Sequence, residues 1–337
     1  MSKNMYVSVL MPIYNASKYL EQSLTSALQQ SLSEIEIICI NDGSTDNSLD
    51  IIKKYTRDDK RITVIDKTNS GYGDSMNRGL KIAKGEYVAI LEPDDWYEPN
   101  MLKTLYQLAA KHNLDVVKGG FYQYSNQTKQ DRQYHLFEPE QCDKIFDSSQ
   151  DTFIYYLQPS IWSAIYKRKF LTRNNLHFLD TPGASYQDTS FNFKVFTLAK
   201  RVMLTNKPLL HYRIDNSQSS INNIAKKLPY IDKEYDEIDH FIKEKCNNSV
   251  QLRGIANSCR FLTYLWAMEQ LNGKSLRNYI LHIRNTLSKI NIHQYSGLSD
   301  NQRKNLNRII EHPNQYYLFK QFRLKLHRFK CLLGFTR

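Results

Sequence analysis

Short β-rich runs alternate with longer stretches of helical character along the first hundred residues. "MYVSVLMPIYN" predicts a strand that ends at a turn, "ASKYLEQSLTSALQQ" a helix, and "EIEIICI" a second strand. "STDNSLDIIKKY" opens with Ser and Asp in capping positions and predicts a helix, followed by a strand at "ITVID". A helix over "GDSMNRGLKIAKG" closes at Gly85, and "EYVAIL" is the next strand. This alternation predicts parallel strands joined by crossover helices, an α/β architecture.

From about Leu114 the pattern is mixed. "LDVVKGGFYQY" predicts a strand, and "DTFIYYLQPSIWSAIYKRKFLTRNN" reads as largely helical with an interruption at Pro159. "TPGASYQDTSFNFKVFTLAKRV" starts as a loop and becomes a helix near Asp188, and "RVMLTNKPLLHYRI" returns to strand character. Beyond Asn223 strand signals almost vanish and helix formers dominate. A boundary is therefore expected near Ser219 to Ile224, dividing a catalytic domain, 1–220, from a helical extension, 221–337.

Composition narrows the function. With 337 residues, of which 41% are hydrophobic, the chain can bury a substantial core. Residues 1–100 hold 11 Lys/Arg against 15 Asp/Glu, so the net charge of +12 comes from the later part. Such a field suits nucleic acid, anionic lipid or a phosphorylated small molecule, but no nucleic-acid-binding signature accompanies it. Five scattered cysteines without a CxxC pair suggest neither a disulfide frame nor a zinc site, which fits a reducing cytoplasm. No apolar span is long enough to cross a bilayer, and neither a GxGxxG after the first strand nor a P-loop signature occurs.

The strand ends carry the unusual residues. In open α/β sheets ligands bind outside the carboxyl ends of the strands, and those ends hold "PIYN", "NDGS" and "EPDD". Closely packed carboxylates repel and are costly to desolvate, so Glu92, Asp94 and Asp95 need a cation or ample water. Each motif alone has a plainer reading: "NDGSTD" as a turn and helix cap, "EPDDW" as a solvated turn, and Asp188 as an N-cap. Together with Asp188 opening a helix far downstream, they match what sugar transfer from a nucleotide donor requires.

In that order and spacing, "VSVLMPIYN", "CINDGSTDNS", "NSGYGDSMNRGL", "ILEPDDW", "YQDTSF" and "HYRIDNSQSS" resemble the inverting nucleotide-sugar glycosyltransferases of family 2, with a GT-A fold, over roughly residues 5 to 220. The resemblance implies that Pro12, Tyr14 and Asn15 lie along the base and ribose of the donor, and that Asp42 accepts a hydrogen bond from the base. It implies that Asn69 and Gly71 shape the loop over the nucleotide, with Asn77 and Gly79 opening the helix behind it. Glu92, Asp94 and Asp95 form the donor-side acidic motif, E-x-D standing where the family usually has D-x-D. Asp94 would ligate Mn²⁺ or Mg²⁺, Glu92 would hold ribose or a metal-bound water, and His211 would reach the cation. Asp188 matches the general base, preceded by Gln187 where the family usually has Glu, and Met76 stands where many relatives carry arginine.

The implied reaction is inverting transfer from a UDP-sugar to a hydroxyl of a glycan, in the cytoplasm, as in the synthesis of bacterial capsule and other surface polysaccharides. Gln187 and Trp162 are candidate acceptor contacts, Trp162 reading first as core and second as a sugar-stacking ring, and Ser125 to Asp151 is expected to hold others. Two further readings stand beside this one: a sugar-phosphate nucleotidyltransferase, whose Gly-rich first loop is missing, and a catalytically degenerate glycan- or nucleotide-binding module on the same fold. In the tail, Leu318, Phe322, Leu326, Phe329 and Leu333 fall on one helical face, with Lys320, Arg323, His327, Arg328 and Lys330 on the polar side. That pattern suits a helix lying on anionic membrane, and so a lipid-linked acceptor, and equally a helix docked on the catalytic domain.

Overall fold

The computed structural model describes residues 5–216 and 224–332, the side chains of 224–226 and 324–332 excepted. The chain divides into two compact units, Met1–Asn222 and Asn223–Arg337. Most of the expected boundary segment, Ser219 to Ile224, and the end of "HYRIDNSQSS" lie outside the described residues.

The first unit begins with β1 (Val7–Ile13), α1 (Ser17–Leu28), β2 (Ile35–Asp42), α2 (Ser48–Asp58), β3 (Ile62–Lys67), α3 (Tyr72–Ile82) and β4 (Tyr87–Ile90). It continues with β5 (Trp96–Tyr97), α4 (Met101–His112), β6 (Val116–Ser125), β7 (Gln130–Tyr134), β8 (Ile145–Phe146), β9 (Ala164–Lys167), α5 (Arg168–Arg173), α6 (Gln187–Leu198) and β10 (Val202–Arg213). The sheet runs β3-β2-β1-β4-β9-β6-β10-β5, with β7 paired to β6 and β8 to β10. Pairing is parallel from β3 to β4 and again between β6 and β10, while β9 runs antiparallel between β4 and β6.

Every residue of β1, β2 and β4 is buried, as strands covered on both faces by helices require. In α1 the buried set Leu20, Ser23, Leu24 and Ala27 recurs at helical spacing, so one face packs while the other meets water. Because β1, β2, β3 and β4 are parallel neighbours, their carboxyl ends share one edge of the sheet. The loops that begin there carry Tyr14 and Asn15, Gly43 and Ser44, Asn69 and Ser70, and Glu92 to Asp95.

The segment from Asp151 to Asn175 departs from its helical expectation. It forms a 3-10 turn at Thr152–Tyr156, another at Ile161–Ser163, the strand β9 and the short α5. Ala164 to Lys167 fills the gap between β4 and β6, and the backbone hydrogen bonds gained on both sides override a local pattern that suits a helix.

The second unit is helical throughout its described residues: α7 (Ile224–Lys245), α8 (Val250–Glu269), α9 (Gly273–Leu287), α10 (Asp300–Glu311) and α11 (Pro313–Leu332). Ser299 and Gln302 form a capping box that starts α10. No described helix is long and apolar enough to cross a membrane.

Candidate active site

At the end of β2, Asp42 organises the loop between β3 and α3. Its carboxylate accepts hydrogen bonds from Ser70 N at 2.8 Å and Gly71 N at 3.0 Å and pairs with Lys67, which also lies 3.0 Å from Asp74. Asn15, in the left-handed region at φ 49°, joins the neighbouring loops: its N–H donates to Ser44 Oγ at 3.1 Å and its Oδ1 accepts from Thr45 N at 2.7 Å. Tyr14 is 52% exposed beside them, and Pro12 is buried within β1. Asn69 is exposed at the start of the loop that Asp42 holds. Lys67, absent from the expected site, could have been suspected only as a cation two residues before Asn69.

The acidic turn after β4 is held from below by Arg213 of β10. Its Nε donates to the Asp94 carbonyl at 2.8 Å, its NH2 donates to Gln22 Oε1, and its backbone N donates to Asp95 Oδ1 at 2.9 Å. The guanidinium also lies over the rings of Tyr19, Trp96 and Tyr124. Asp95 is 1% exposed and its second carboxylate oxygen has no hydrogen-bond partner, so burial together with the charge of Asp94 pushes its pKa well up. Asp95 therefore faces β10 rather than the donor side expected for it.

Glu92 accepts a hydrogen bond from Tyr72 Oη at 2.7 Å. Burial pushes its carboxyl up to about 8, with the charges of Asp94 and Asp188 adding to the rise and the Tyr72 bond opposing it. Asp94 accepts from Asn216 Nδ2 at 2.8 Å. Glu92 and Asp94 offer the hard oxygen donors that Mg²⁺ and Mn²⁺ favour, and a dication would offset the burial and the neighbouring negative charge that raise the Glu92 carboxyl. Among the described residues no three His, Cys, Asp or Glu side chains converge as a metal cage.

Asp188 lies half-buried in the first turn of α6, where the helix N-terminus favours an anion. Burial raises its pKa, while hydrogen bonds from its own and the Thr189 backbone, the charge of Lys118 and the Thr189 hydroxyl lower it. The chain reaches α6 through residues 179–186, which pass over α3 so closely that a Cβ on Gly71 would meet the Thr181 carbonyl at 2.5 Å. Gly71, at φ 100°, is the N-cap of α3, and the N–H of Tyr72 donates to the Gly183 carbonyl at 2.9 Å. This packing brings the end of a distant helix to the acidic turn: Asp188 interacts electrostatically with both Glu92 and Tyr72.

Four expected contacts have other partners. Both ring nitrogens of His211 are engaged, Nδ1 with Asp131 at 2.8 Å and Nε2 with Glu98 at 2.7 Å, and its ring stacks on Trp96 at 4.6 Å, so no free nitrogen is left for a cation at Asp94. His211 lines a cavity of about 500 Å³ that takes in Gln22, Tyr55 and Trp96 and none of Asp42, Asp94 and Asp188. Asn77 lies inside α3 instead of opening it, and its amide forms both hydrogen bonds with the Phe178 backbone. Gln187, 2% exposed, bonds to Thr181, Gly183 and Ser185 and so shapes the approach to α6. Trp162 is buried, stacked on Tyr212 at 4.9 Å with its edge against Phe121.

The family model for glycosyl transferase family 2 matches residues 8–196. The uncharacterized glycosyltransferase EpsJ of Bacillus subtilis is 33% identical over 66% of this chain and 64% of its own length. Glycosyltransferase GlyA of Streptococcus pneumoniae is 31% identical over 62% of this chain but only 30% of its own. The alignments thus span less than two thirds of either relative. Among solved structures, S. aureus TarS 1-349 superposes with a TM-score of 0.71 at 20% identity, covering 96% of this chain and 92% of that one, which establishes the common fold. The same TarS segment has been crystallised with UDP-GlcNAc and with UDP. With more than half of its length matched by the family model, the chain belongs to glycosyl transferase family 2.

Proposed function

We propose that this protein transfers a sugar from a nucleotide diphosphate donor, a UDP-sugar, to a hydroxyl group of a glycan, inverting the anomeric configuration. The observation that carries the reading is the approach of Asp188 to the acidic turn: a carboxylate in the first turn of a helix whose charge is felt at Glu92, as is that of Asp94. The Asp42 and Asn15 loops, with exposed Tyr14 and Asn69, supply a surface for base and ribose next to that turn. Asp94 and Glu92 would hold a divalent cation, which supplies charge neutralisation for the departing diphosphate. Mg²⁺ and its like usually bind one or two carboxylates plus substrate phosphates, which is the part Asp94 and Glu92 would play.

Asp188 takes the proton from the acceptor hydroxyl as that oxygen attacks the anomeric carbon from the face opposite the diphosphate. The bond to the diphosphate breaks through an oxocarbenium-like state, and the product is inverted. The UDP-GlcNAc and UDP complexes of TarS support the donor class, and a cytoplasmic reaction building bacterial surface polysaccharide is the setting we infer. The test is release of nucleotide from a panel of UDP-, GDP- and dTDP-sugars in Mn²⁺, with thermal-shift binding measured in parallel. Turnover of a UDP-sugar that falls at least 100-fold in Asp188→Asn and is lost in Asp94→Ala is expected, removal of a general base costing about 10² to 10⁴. The absence of both binding and turnover with every donor in the panel would refute the reading.

A further inference from the structure

Arg213 ends β10 as a buried cation, 4% exposed, and its side chain bonds to three neutral oxygens. Nε donates to the Asp94 carbonyl at 2.8 Å, Nη1 to Asn126 Oδ1 at 2.5 Å and Nη2 to Gln22 Oε1 at 2.8 Å. Those oxygens belong to the acidic turn, the tip of the β6–β7 hairpin and α1, so the planar fork of the guanidinium joins three elements far apart in the chain. The rings of Tyr19, Trp96 and Tyr124 pack around it, with centroids at 4.1, 4.8 and 5.2 Å. The segment that follows is tied to the same hairpin. Ile214 N donates to the Tyr124 carbonyl at 3.0 Å, and the Asp215 carboxylate accepts from Ser125 Oγ at 2.9 Å, Asn126 Nδ2 at 2.8 Å and Gln127 N at 3.0 Å. Asn216 then donates from Nδ2 to Asp94 Oδ2 at 2.8 Å.

Asp94 is thus held at both ends from one short segment, its carbonyl by Arg213 and its carboxylate by Asn216. Within the turn, the Asp95 N–H donates to the Glu92 carbonyl at 3.1 Å, a bond that fixes the bend of the backbone but not the direction of the Asp94 side chain. A half-buried aspartate has several rotamers open to it unless a partner selects one. Carboxylates that ligate metals are commonly oriented by hydrogen bonds from residues behind them. We propose that Arg213 and Asn216 are positioning residues for the transfer, Arg213 fixing the main chain of Asp94 and Asn216 aiming its carboxylate, with the β6–β7 hairpin as their anchor. The assignment rests on the reading of Asp94 as the carboxylate that holds the cation. Asn126 enters at one remove, bonding to Arg213 and Asp215 rather than to Asp94.

Two measurements on the full chain test the assignment in Arg213→Lys, Asn216→Ala, Asn126→Ala and the reference Asp94→Ala. The first is the calorimetric affinity for UDP in Mn²⁺ and again in EDTA. Loss of a residue that orients a metal ligand costs about 10- to 100-fold in metal affinity or activity, so Arg213→Lys and Asn216→Ala should weaken UDP by about 10-fold or more in Mn²⁺ and leave it at the parent value in EDTA. Asn126→Ala follows in the same direction, by less. Residues that merely support the fold would weaken UDP equally with and without the cation. The second is hydrogen exchange without ligand or cation: the Asp95 amide should exchange about 10-fold faster or more in Arg213→Lys and Asn126→Ala, a local opening, with the amides of β1 and β2 at parent rates. Parent affinity in Mn²⁺ for either Arg213→Lys or Asn216→Ala, or a loss that persists in EDTA, overturns the proposal. A gain in affinity from Mn²⁺ that survives in Asp94→Ala would instead overturn the reading of Asp94. Should Arg213→Lys fail to fold, Asn216→Ala carries the affinity test and Asn126→Ala the exchange test. The affinities decide where the two measurements disagree. If the parent binds UDP no better in Mn²⁺ than in EDTA, exchange decides, and an Asp95 amide at the parent rate overturns the proposal.

Discussion

At the residue scale, the departure from the usual acidic motif has a structural counterpart. Glutamate at position 92 reaches one carbon further than aspartate, and the hydroxyl that meets it belongs to Tyr72. The two residues lie twenty positions apart and neither makes sense alone: Tyr72 would bury its hydroxyl without a partner, and Glu92 its charge. The consequence for pH follows from the direction of the shift. A carboxyl whose pKa rises from 4.5 unfolded to about 8 folded binds more protons in the native state between those values. Stability from Glu92 is therefore present below about pH 4.5 and is lost as the pH rises through about 8. Without added dication, Glu92→Gln should leave the urea midpoint unchanged at pH 4 and raise it at pH 8, by a few kcal/mol on the scale of about 1.4 per pKa unit. A midpoint that falls at pH 8 would show that Glu92 is already ionised and stabilised by its surroundings.

At the element scale, the site depends on how α3 meets the strand of chain that leads into α6. Glycines 71 and 73 leave room for the 179–183 backbone; a Cβ on Gly73 would stand 2.0 Å from the Leu179 carbonyl oxygen. Backbone cannot yield as a flexible side chain does. Gly73→Ala should lower stability by about 2 kcal/mol or more, in the range for overpacking a tight contact, and should reduce turnover by displacing Asp188. Urea unfolding together with nucleotide release checks both, and a normal midpoint would mean that the 179–183 segment moves freely. The motif "NSGYGDS" is legible as part of a family pattern, yet its spacing gives no sign that Gly71 and Gly73 also make room for the segment leading to Asp188. The 151–175 segment departs from its helical pattern for a related reason: the neighbours that turn Ala164 to Lys167 into a strand are β4 and β6, remote in sequence.

At the scale of the whole molecule, the two units divide the charge. The first hundred residues are net acidic, while the excess of Lys and Arg lies later in the chain. The tail expected to lie on anionic membrane falls in α11, where Leu318 and Phe322 are both 65% exposed; the side chains of Leu326, His327, Arg328, Phe329 and Lys330, and all of Leu333, lie outside the described residues. We propose that this segment supplies peripheral contact with anionic lipid, which would suit a lipid-linked acceptor. Removing residues 316–337 is expected to lower co-sedimentation with vesicles containing phosphatidylglycerol, more so at low salt. Equal sedimentation of the full-length and shortened chains would dismiss the tail as an anchor.

What the sequence determined by itself is local or ordered along the chain: the strand and helix succession to Leu91, the acidic turn after β4, Asp188 at the opening of a helix, and the set of motifs whose order places the chain in its family. These follow from side-chain periodicity, capping chemistry and turn residues, which act over a few positions. Only the tertiary structure decided which polar groups remain free. His211, Gln187 and Asn77 had the right chemistry for ligands, but their hydrogen-bonding atoms are taken up by Glu98 and Asp131, by Thr181 and Ser185, and by Phe178, while Asp95 is buried with one oxygen on the backbone N–H of Arg213. Tyr72 and Arg213 stand inside recognisable motifs, but their partners Glu92 and Asp94 were not legible there, because folding brings them together from remote positions. A buried polar group must satisfy its bonds wherever folding places it, and that placement is a long-range property of the fold.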